Sequence, residues 1–169
     1  SNIQQIPTPL GGAHGLLYAF EHLYVVKTDG DGERGVYRLK DTDKKGLFAN
    51  PELIVPIPGK GEHGAHGLVV GPLGRWIYLI AGNGTGIPND IQRDLPATVK
   101  PTDSFSTPAR QGWVIRFSPD GKNRELFCQG LRNCYDLAFN PNGDLFTFDS
   151  DNEGFMGLAT PILTAPSPE

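Results

Sequence analysis

Two histidines, His63 and His66, stand three residues apart in the stretch GEHGAHGLVVGP, directly in front of a short apolar run. A neutral imidazole can take a proton from a bound alcohol, because its ordinary pKa lies close to neutral pH. Zinc is a second alternative, although it would need Gly64 to turn the chain and a third ligand, Glu62 or His14, to converge on the pair. The third alternative is a structural histidine, hydrogen-bonded to the backbone of a neighbouring sheet.

Arg132 and Asn133 form a second candidate pair, between the segments CQGL and YDLAF. A guanidinium donates to oxygens in pairs, and an amide both donates and accepts. Together they suit a planar ligand that is rich in carboxylates. The alternative for Arg132 is a hydrogen bond to a loop carbonyl.

Two acidic clusters follow apolar runs: Asp149, Asp151 and Glu153 in DSDNE, and Asp29, Asp31 and Glu33 in KTDGDGE. Alternating carboxylates suit calcium, which binds oxygen ligands in flexible geometry, but neither cluster has the full EF-hand loop. For the second cluster a solvated acidic turn is favoured over a metal site. For the first cluster both interpretations stay open.

The chain has 169 residues, enough for one domain with one core, and its 22 Gly and 15 Pro argue against a helical bundle. The formal net charge of -4 provides no basic stripe, so we expect no nucleic-acid partner. No apolar run is long enough for a membrane span, and the N-terminus SNIQQIPTPL does not resemble a signal peptide. Cys128 and Cys134 are expected to form either a small disulfide or two buried thiols.

Short apolar runs with a period of two, typical of β-strands, separate these polar residues. We predict strands in the segments GLLYAF, LYVVK, GVYRL, ELIVPI, HGLVV, WIYLIAG, GWVIRF, RELFC, YDLAF and DLFTF. Between strands, SPDG (118–121) and NPNG (140–143) have the Pro and Gly positions of tight turns. The pattern therefore indicates antiparallel hairpins.

The predicted strands repeat in units that begin at His14, His66 and Tyr135, and the first two units continue with a third and a fourth strand. Four antiparallel strands form the blade of a β-propeller. The predicted fold is thus all-β, a partial β-propeller of about two and a half four-stranded blades. Residues 1–153 form this domain, with a long loop insertion at 84–111, and residues 154–169 form an irregular C-terminal tail.

The loop before the innermost strand of each blade faces the central channel of a propeller, where ligands bind. His14, His63, His66, Arg132 and Asn133 all occupy such loops or strand starts, which predicts a shared site. An open set of blades also leaves sheet edges unpaired. We expect a second copy of the chain, further blades of a longer propeller, or protected ends to cover these edges.

Three stretches resemble a known family: GGAHGLLYAFEHLYVVKTDGDGERGVYRLKDTD, EHGAHGLVVGPLGRWIYLIAGNGT and GWVIRFSPDGKNRELFCQGLRNCYDLAFNPNGDLFTFDSDNE. They are similar to the propeller of bacterial membrane-bound dehydrogenase-type proteins, relatives of the soluble quinoprotein glucose dehydrogenases and of sorbosone dehydrogenase. The resemblance spans residues 10–153 and is most specific over 130–153. It implies a six-bladed propeller that binds pyrroloquinoline quinone and calcium, oxidises a sugar or alcohol, and is periplasmic or secreted.

The resemblance also implies roles for single residues. His63 stands where the relatives have a catalytic base, and it would accept the proton of a sugar hydroxyl while hydride moves to the quinone. Arg132 and Asn133 match an Arg-Asn pair that contacts the quinone. The carboxylates of DSDNE would lie near the calcium region (Asp149, Asp151, Glu153). His66 is then expected to be structural.

Two departures from the family lead to a second hypothesis. The relatives place an acid after the second strand to orient the base, whereas this chain has Gly82 and Asn83, and the later blades with further cofactor contacts are not in this sequence. The first hypothesis is a quinoprotein sugar dehydrogenase-like module, incomplete or inactive as this chain alone. The second is a non-catalytic propeller-like binding or interaction module. A calcium-dependent lactonase-like hydrolase would need carboxylates at the channel, where this chain has His and Arg.

Overall fold

The computed structural model describes residues 3, 8, 10–42, 44, 46–59, 61–88, 90–91 and 112–150. Asp151 and Glu153, most of the predicted insertion and the predicted tail 154–169 lie outside these residues. All regular secondary structure in the described part of the chain is β-strand. No helical segment there has the length and apolar character that crossing a lipid bilayer requires.

Ten strands form three antiparallel sheets. The first sheet has the order β1 (Ala13–Ala19), β2 (His22–Lys27), β3 (Gly35–Asp41), β4 (Phe48–Pro56). The second has the order β5 (Ala65–Val70), β6 (Ile77–Ala81), β7 (Gly112–Phe117), β8 (Arg124–Leu131), and β9 (Leu137–Phe139) pairs with β10 (Leu145–Thr147) in the third. The prediction of an all-β partial propeller with four-stranded blades is confirmed, and every predicted strand is present.

The predicted turns close hairpins as their sequences indicate. Gly121 N donates to the carbonyl of Ser118 over 2.7 Å, and Gly143 N donates to the carbonyl of Asn140 over 3.0 Å. The two glycines have φ values of 74° and 88°, a left-handed conformation that other residues adopt only at a cost. Glycine at the end of SPDG and NPNG therefore permits the tight β7–β8 and β9–β10 connections.

The second sheet is covered on both faces, because alternate residues of a strand point to opposite sides. In β6, Ile77 and Leu79 belong to the apolar layer between the first and second sheets. Tyr78 and Ile80 belong to the layer between the second and third sheets. Strand β6 is consequently buried along its whole length.

The first strands of the three sheets lie side by side. Strand β5 contacts both β1 and β9. A Cβ atom at Gly15 would overlap the backbone oxygen of His66, so glycine is what allows β1 to approach β5. On the other side, Gly67 N donates to the carbonyl of Tyr135 over 3.0 Å. The residues at the start of β1, β5 and β9 are thereby brought to one end of the molecule.

Candidate functional site

His63 is held in one orientation just before β5. Its carbonyl accepts a hydrogen bond from Gly84 N over 2.9 Å, and its Nδ1 lies 2.6 Å from Oδ1 of Asn83. An amide oxygen can only accept, so the proton of the neutral ring is on Nδ1 and Nε2 keeps its lone pair. The half-buried ring is therefore in the tautomer that a general base needs.

Asn83 occupies the loop after β6, where the family resemblance places an acid. Its amide orients the imidazole as a carboxylate would. It lacks the negative charge with which a carboxylate also stabilises the imidazolium formed by proton transfer. Asn83 thus orients the imidazole of His63 without adding the negative charge of a carboxylate.

Arg132 and Asn133 lie next to the loop of His63 and Asn83. The backbone N of Asn83 donates to the carbonyl of Arg132 over 2.6 Å. A Cβ atom at Gly82 would overlap Oδ1 of Asn133 and would lie 2.8 Å from the carbonyl oxygen of His63. The predicted residues from two different repeats therefore meet around Gly82 and Asn83.

The two side chains of the Arg-Asn pair have different surroundings. The half-buried guanidinium of Arg132 donates to Oγ of Ser150 over 3.1 Å and to the carbonyl of Ser150 over 3.4 Å, which is the loop-carbonyl alternative for this residue. Asn133 is only 3% exposed, and its Oδ1 is 3.0 Å from Nε2 of His66. Arg132 thus lies nearer to solvent, whereas Asn133 is part of the interior.

Asp149 lies beside this pair. Its Oδ1 accepts from the backbone N of Asn133 over 2.8 Å, and its Oδ2 accepts from the backbone N of Arg132 over 2.7 Å. The carboxylate therefore fixes the loop that leads into β9. Its role as a calcium ligand, together with Asp151 and Glu153, stays a prediction.

His66 connects the three sheets through its ring. Nε2 donates to Oδ1 of Asn133 over 3.0 Å, and Nδ1 lies 3.4 Å from Nδ1 of His14. The ring of Tyr135 lies 4.3 Å away between centroids. Burial is the main cause that lowers the pKa of His66, and nearby His14 lowers it further. This buried, bonded imidazole agrees with the expected structural role.

The zinc alternative for His63 and His66 finds no support in the geometry. The two rings turn to different partners, Asn83 and Asn133. Within the described ranges, no group of three or more His, Cys, Asp or Glu side chains is placed to hold a metal ion. In the second acidic cluster, Asp29 accepts from Gly61 N and lies 3.7 Å from Nε2 of His14.

Tyr135 was not predicted as part of the site. It is 43% exposed, and its ring lies beside that of His66, at the end of the molecule where the first strands of the three sheets begin. The repeat alignment contains the signal that could have identified it. Tyr135 stands in the third unit where His14 and His66 stand in the first two.

The two cysteines are free thiols, so the disulfide alternative is wrong. Cys134 is buried, whereas Cys128 on the outer strand β8 is exposed. Burial raises the pKa of Cys134 to about 11. The buried-thiol alternative therefore holds for Cys134 only.

Models of known protein families give no match to this chain, and no curated protein is significantly similar to it. The class that the fold and the site define is an all-β, partial propeller with a histidine- and asparagine-rich cluster at the starts of its innermost strands.

Proposed function

We propose that the protein is a propeller module of the quinoprotein sugar or alcohol dehydrogenase type, in which His63 accepts the proton of a substrate hydroxyl. The observation that carries this proposal is the 2.6 Å contact between Nδ1 of His63 and Oδ1 of Asn83, which leaves Nε2 as the proton acceptor. Support also comes from the position of Arg132, whose carbonyl accepts a hydrogen bond from the backbone N of Asn83.

The chemistry of these side chains follows from their protonation states. A hydroxyl that binds at Nε2 of His63 would give its proton to the ring, and oxidation of the substrate would in addition need a bound quinone as the hydride acceptor. The imidazolium that results keeps its Nδ1 hydrogen bond to Asn83. Arg132 would contribute a fixed positive charge to hold a carboxylate of the quinone.

The described residues fit pyrroloquinoline quinone only in part. This planar polycarboxylate needs several cationic or amide donors, and Arg132 offers one guanidinium. The amide oxygen of Asn133 is bonded to buried His66, and Asp29 and Asp149 bring negative charge to the same end. Calcium likewise meets a carboxylate, Asp149, whose oxygens both accept backbone hydrogen bonds. We therefore assign no reaction step to a bound cofactor.

A second candidate is a non-catalytic binding or interaction module. It is favoured by the same bonds of Asn133 and Asp149, because both side chains hold the loop before β9 in place. In this alternative the cluster around His66 stabilises the contact between sheets, and His63 has no substrate.

Titration with pyrroloquinoline quinone and calcium, followed by absorbance and by mass in solution, distinguishes the two candidates. The dehydrogenase-type proposal predicts saturable binding that weakens by about tenfold or more in Arg132→Ala, because a charge-assisted hydrogen bond is lost. His63→Gln should retain binding but lose reduction of the bound quinone by a sugar. Lys122→Ala, at an exposed turn, is the matched control. If neither the monomer nor any oligomer of the protein binds pyrroloquinoline quinone, this proposal is overturned in favour of the non-catalytic module.

A further inference from the structure

The first sheet carries a row of paired side chains, Tyr24, Arg38 and Glu52, across β2, β3 and β4. Arg38 is ion-paired with Glu52 at 2.7 Å. The hydroxyl of Tyr24 and Nη1 of Arg38 both donate to the carbonyl of Pro119, over 2.9 and 3.2 Å. Pro119 belongs to the SPDG turn between β7 and β8. The outer hairpin of the second sheet thus docks on the first sheet through this shared acceptor.

Further contacts hold the same turn against β4. Nη2 of Arg124 donates to the carbonyl of Ile54 over 2.6 Å. A Cβ atom at Gly121 would lie 2.5 Å from that oxygen, so the turn is in close contact with the strand. Tyr24 is completely buried as a result. The Tyr-Arg pair of one sheet therefore receives the outer turn of the next sheet.

The second sheet has the same row at the same register. Tyr78, Arg116 and Glu125 pair across β6, β7 and β8, and Arg116 is ion-paired with Glu125 at 2.5 Å. Here Nη1 of Arg116 lies 3.5 Å from the Tyr78 hydroxyl. In the part of the chain that the structure describes, no backbone carbonyl accepts from this pair. The third sheet contributes two strands there, β9 and β10.

A groove of about 360 Å³ lies over this second Tyr-Arg pair, between the second and third sheets. Its apolar walls include Trp76, Phe127 and Phe139. Phe127 is 46% exposed, and the guanidinium of Arg116 lies 4.9 Å from the Trp76 ring centroid. A hairpin with apolar strands would pack against these aromatic walls. A carbonyl oxygen of its turn would accept from the two adjacent donors, the Tyr78 hydroxyl and the Arg116 guanidinium.

We propose that this groove binds an antiparallel β-hairpin whose Pro-containing turn presents a main-chain carbonyl to Tyr78 and Arg116. The bound hairpin takes the position of the outer strands of the third sheet. The inference follows from the repeated row, because the same two donors at the same register already bind such a turn in the first sheet. It is independent of the proposed enzymatic role of His63.

The probe for this site is a cyclised peptide with the sequence of residues 114–126, the strand-turn-strand of the β7–β8 hairpin. Its hairpin conformation is first established by NMR, and its binding to the full chain is followed by fluorescence anisotropy. We expect saturable binding that weakens about fivefold in Tyr78→Phe, which removes only a hydroxyl donor. Arg116→Ala should weaken binding by about tenfold or more. Tyr18→Phe, at an exposed tyrosine outside the groove, should leave the affinity unchanged.

Equal affinities of the wild-type protein and Tyr78→Phe would overturn the proposal, as would the absence of binding by a peptide that is folded as a hairpin. Arg116→Ala also breaks the ion pair with Glu125, so Tyr78→Phe remains the decisive variant if Arg116→Ala does not fold.

Discussion

The buried imidazole of His66 makes the folded protein sensitive to mild acid. Its side chain is 2% exposed, and burial lowers its pKa below the ordinary value of 6.5. In the unfolded chain the ring is solvated and titrates near that ordinary value. As the pH falls below 6.5, the unfolded state binds a proton that the folded state does not, so the free energy of unfolding decreases.

Proton linkage sets the size of this effect. A histidine that bound no proton in the folded state would cost about 1 kcal/mol between pH 6.5 and about pH 5.5, and this figure is the upper limit for the effect of His66. The titratable groups that face the ring are His14, at 3.4 Å between Nδ1 atoms, and Tyr135. His63 also acts on His66 electrostatically, and Asp29 lies beside His14.

Urea unfolding at three pH values, near 7.5, 6.5 and 5.5, measures the effect. His66→Gln retains an amide donor toward Asn133 but cannot titrate. Its free energy of unfolding should therefore fall less than that of the wild-type protein between pH 6.5 and about pH 5.5, by up to about 1 kcal/mol. His22→Gln is the matched control, because His22 is bonded to the carbonyl of Phe20 outside this cluster. The same pH dependence in the wild-type protein and His66→Gln would refute the reasoning.

Three further predictions test the contacts between sheets and the thiols. Gly15→Ala should destabilise the protein by about 1–3 kcal/mol in urea unfolding, because its Cβ overlaps a carbonyl of β5. The control Gly11→Ala, where the added Cβ meets open space, should leave the free energy of unfolding nearly unchanged. Tyr24→Phe should cost about 1 kcal/mol by the same measurement, because a buried hydrogen bond between sheets is lost. In the native protein an alkylating reagent should label exposed Cys128 faster than buried Cys134, because burial raises the pKa of both thiols and raises that of Cys134 to about 11. Equal labelling rates would contradict the burial of Cys134.

The local features of the fold could be predicted from the sequence because they depend on neighbouring residues. Alternation of apolar and polar side chains identified the strands, and Pro and Gly positions identified the turns at 118–121 and 140–143. The repeat then predicted which strands belong to one sheet. These signals lie within stretches of a few residues and need no knowledge of the packing.

The surroundings of single site residues could not be predicted in the same way. The expected contact of Asn133 with a ligand stays a prediction, and its bond to His66, which is far away in the sequence, was not predicted. The spacing of Cys128 and Cys134 could not decide that the first residue is exposed on β8 while the second is buried between sheets. Such outcomes depend on how the sheets face each other, which no short sequence pattern specifies.

The orientation of the His63 ring is the most direct test of the proposed base. Ring ¹⁵N spectra of the protein at pH near 7.5 distinguish the two neutral tautomers of each histidine. The account predicts a protonated Nδ1 in His63, bonded to Asn83, and a protonated Nε2 in His66, bonded to Asn133. A His63 ring with its proton on Nε2 would contradict the account, because no lone pair would then face a substrate hydroxyl.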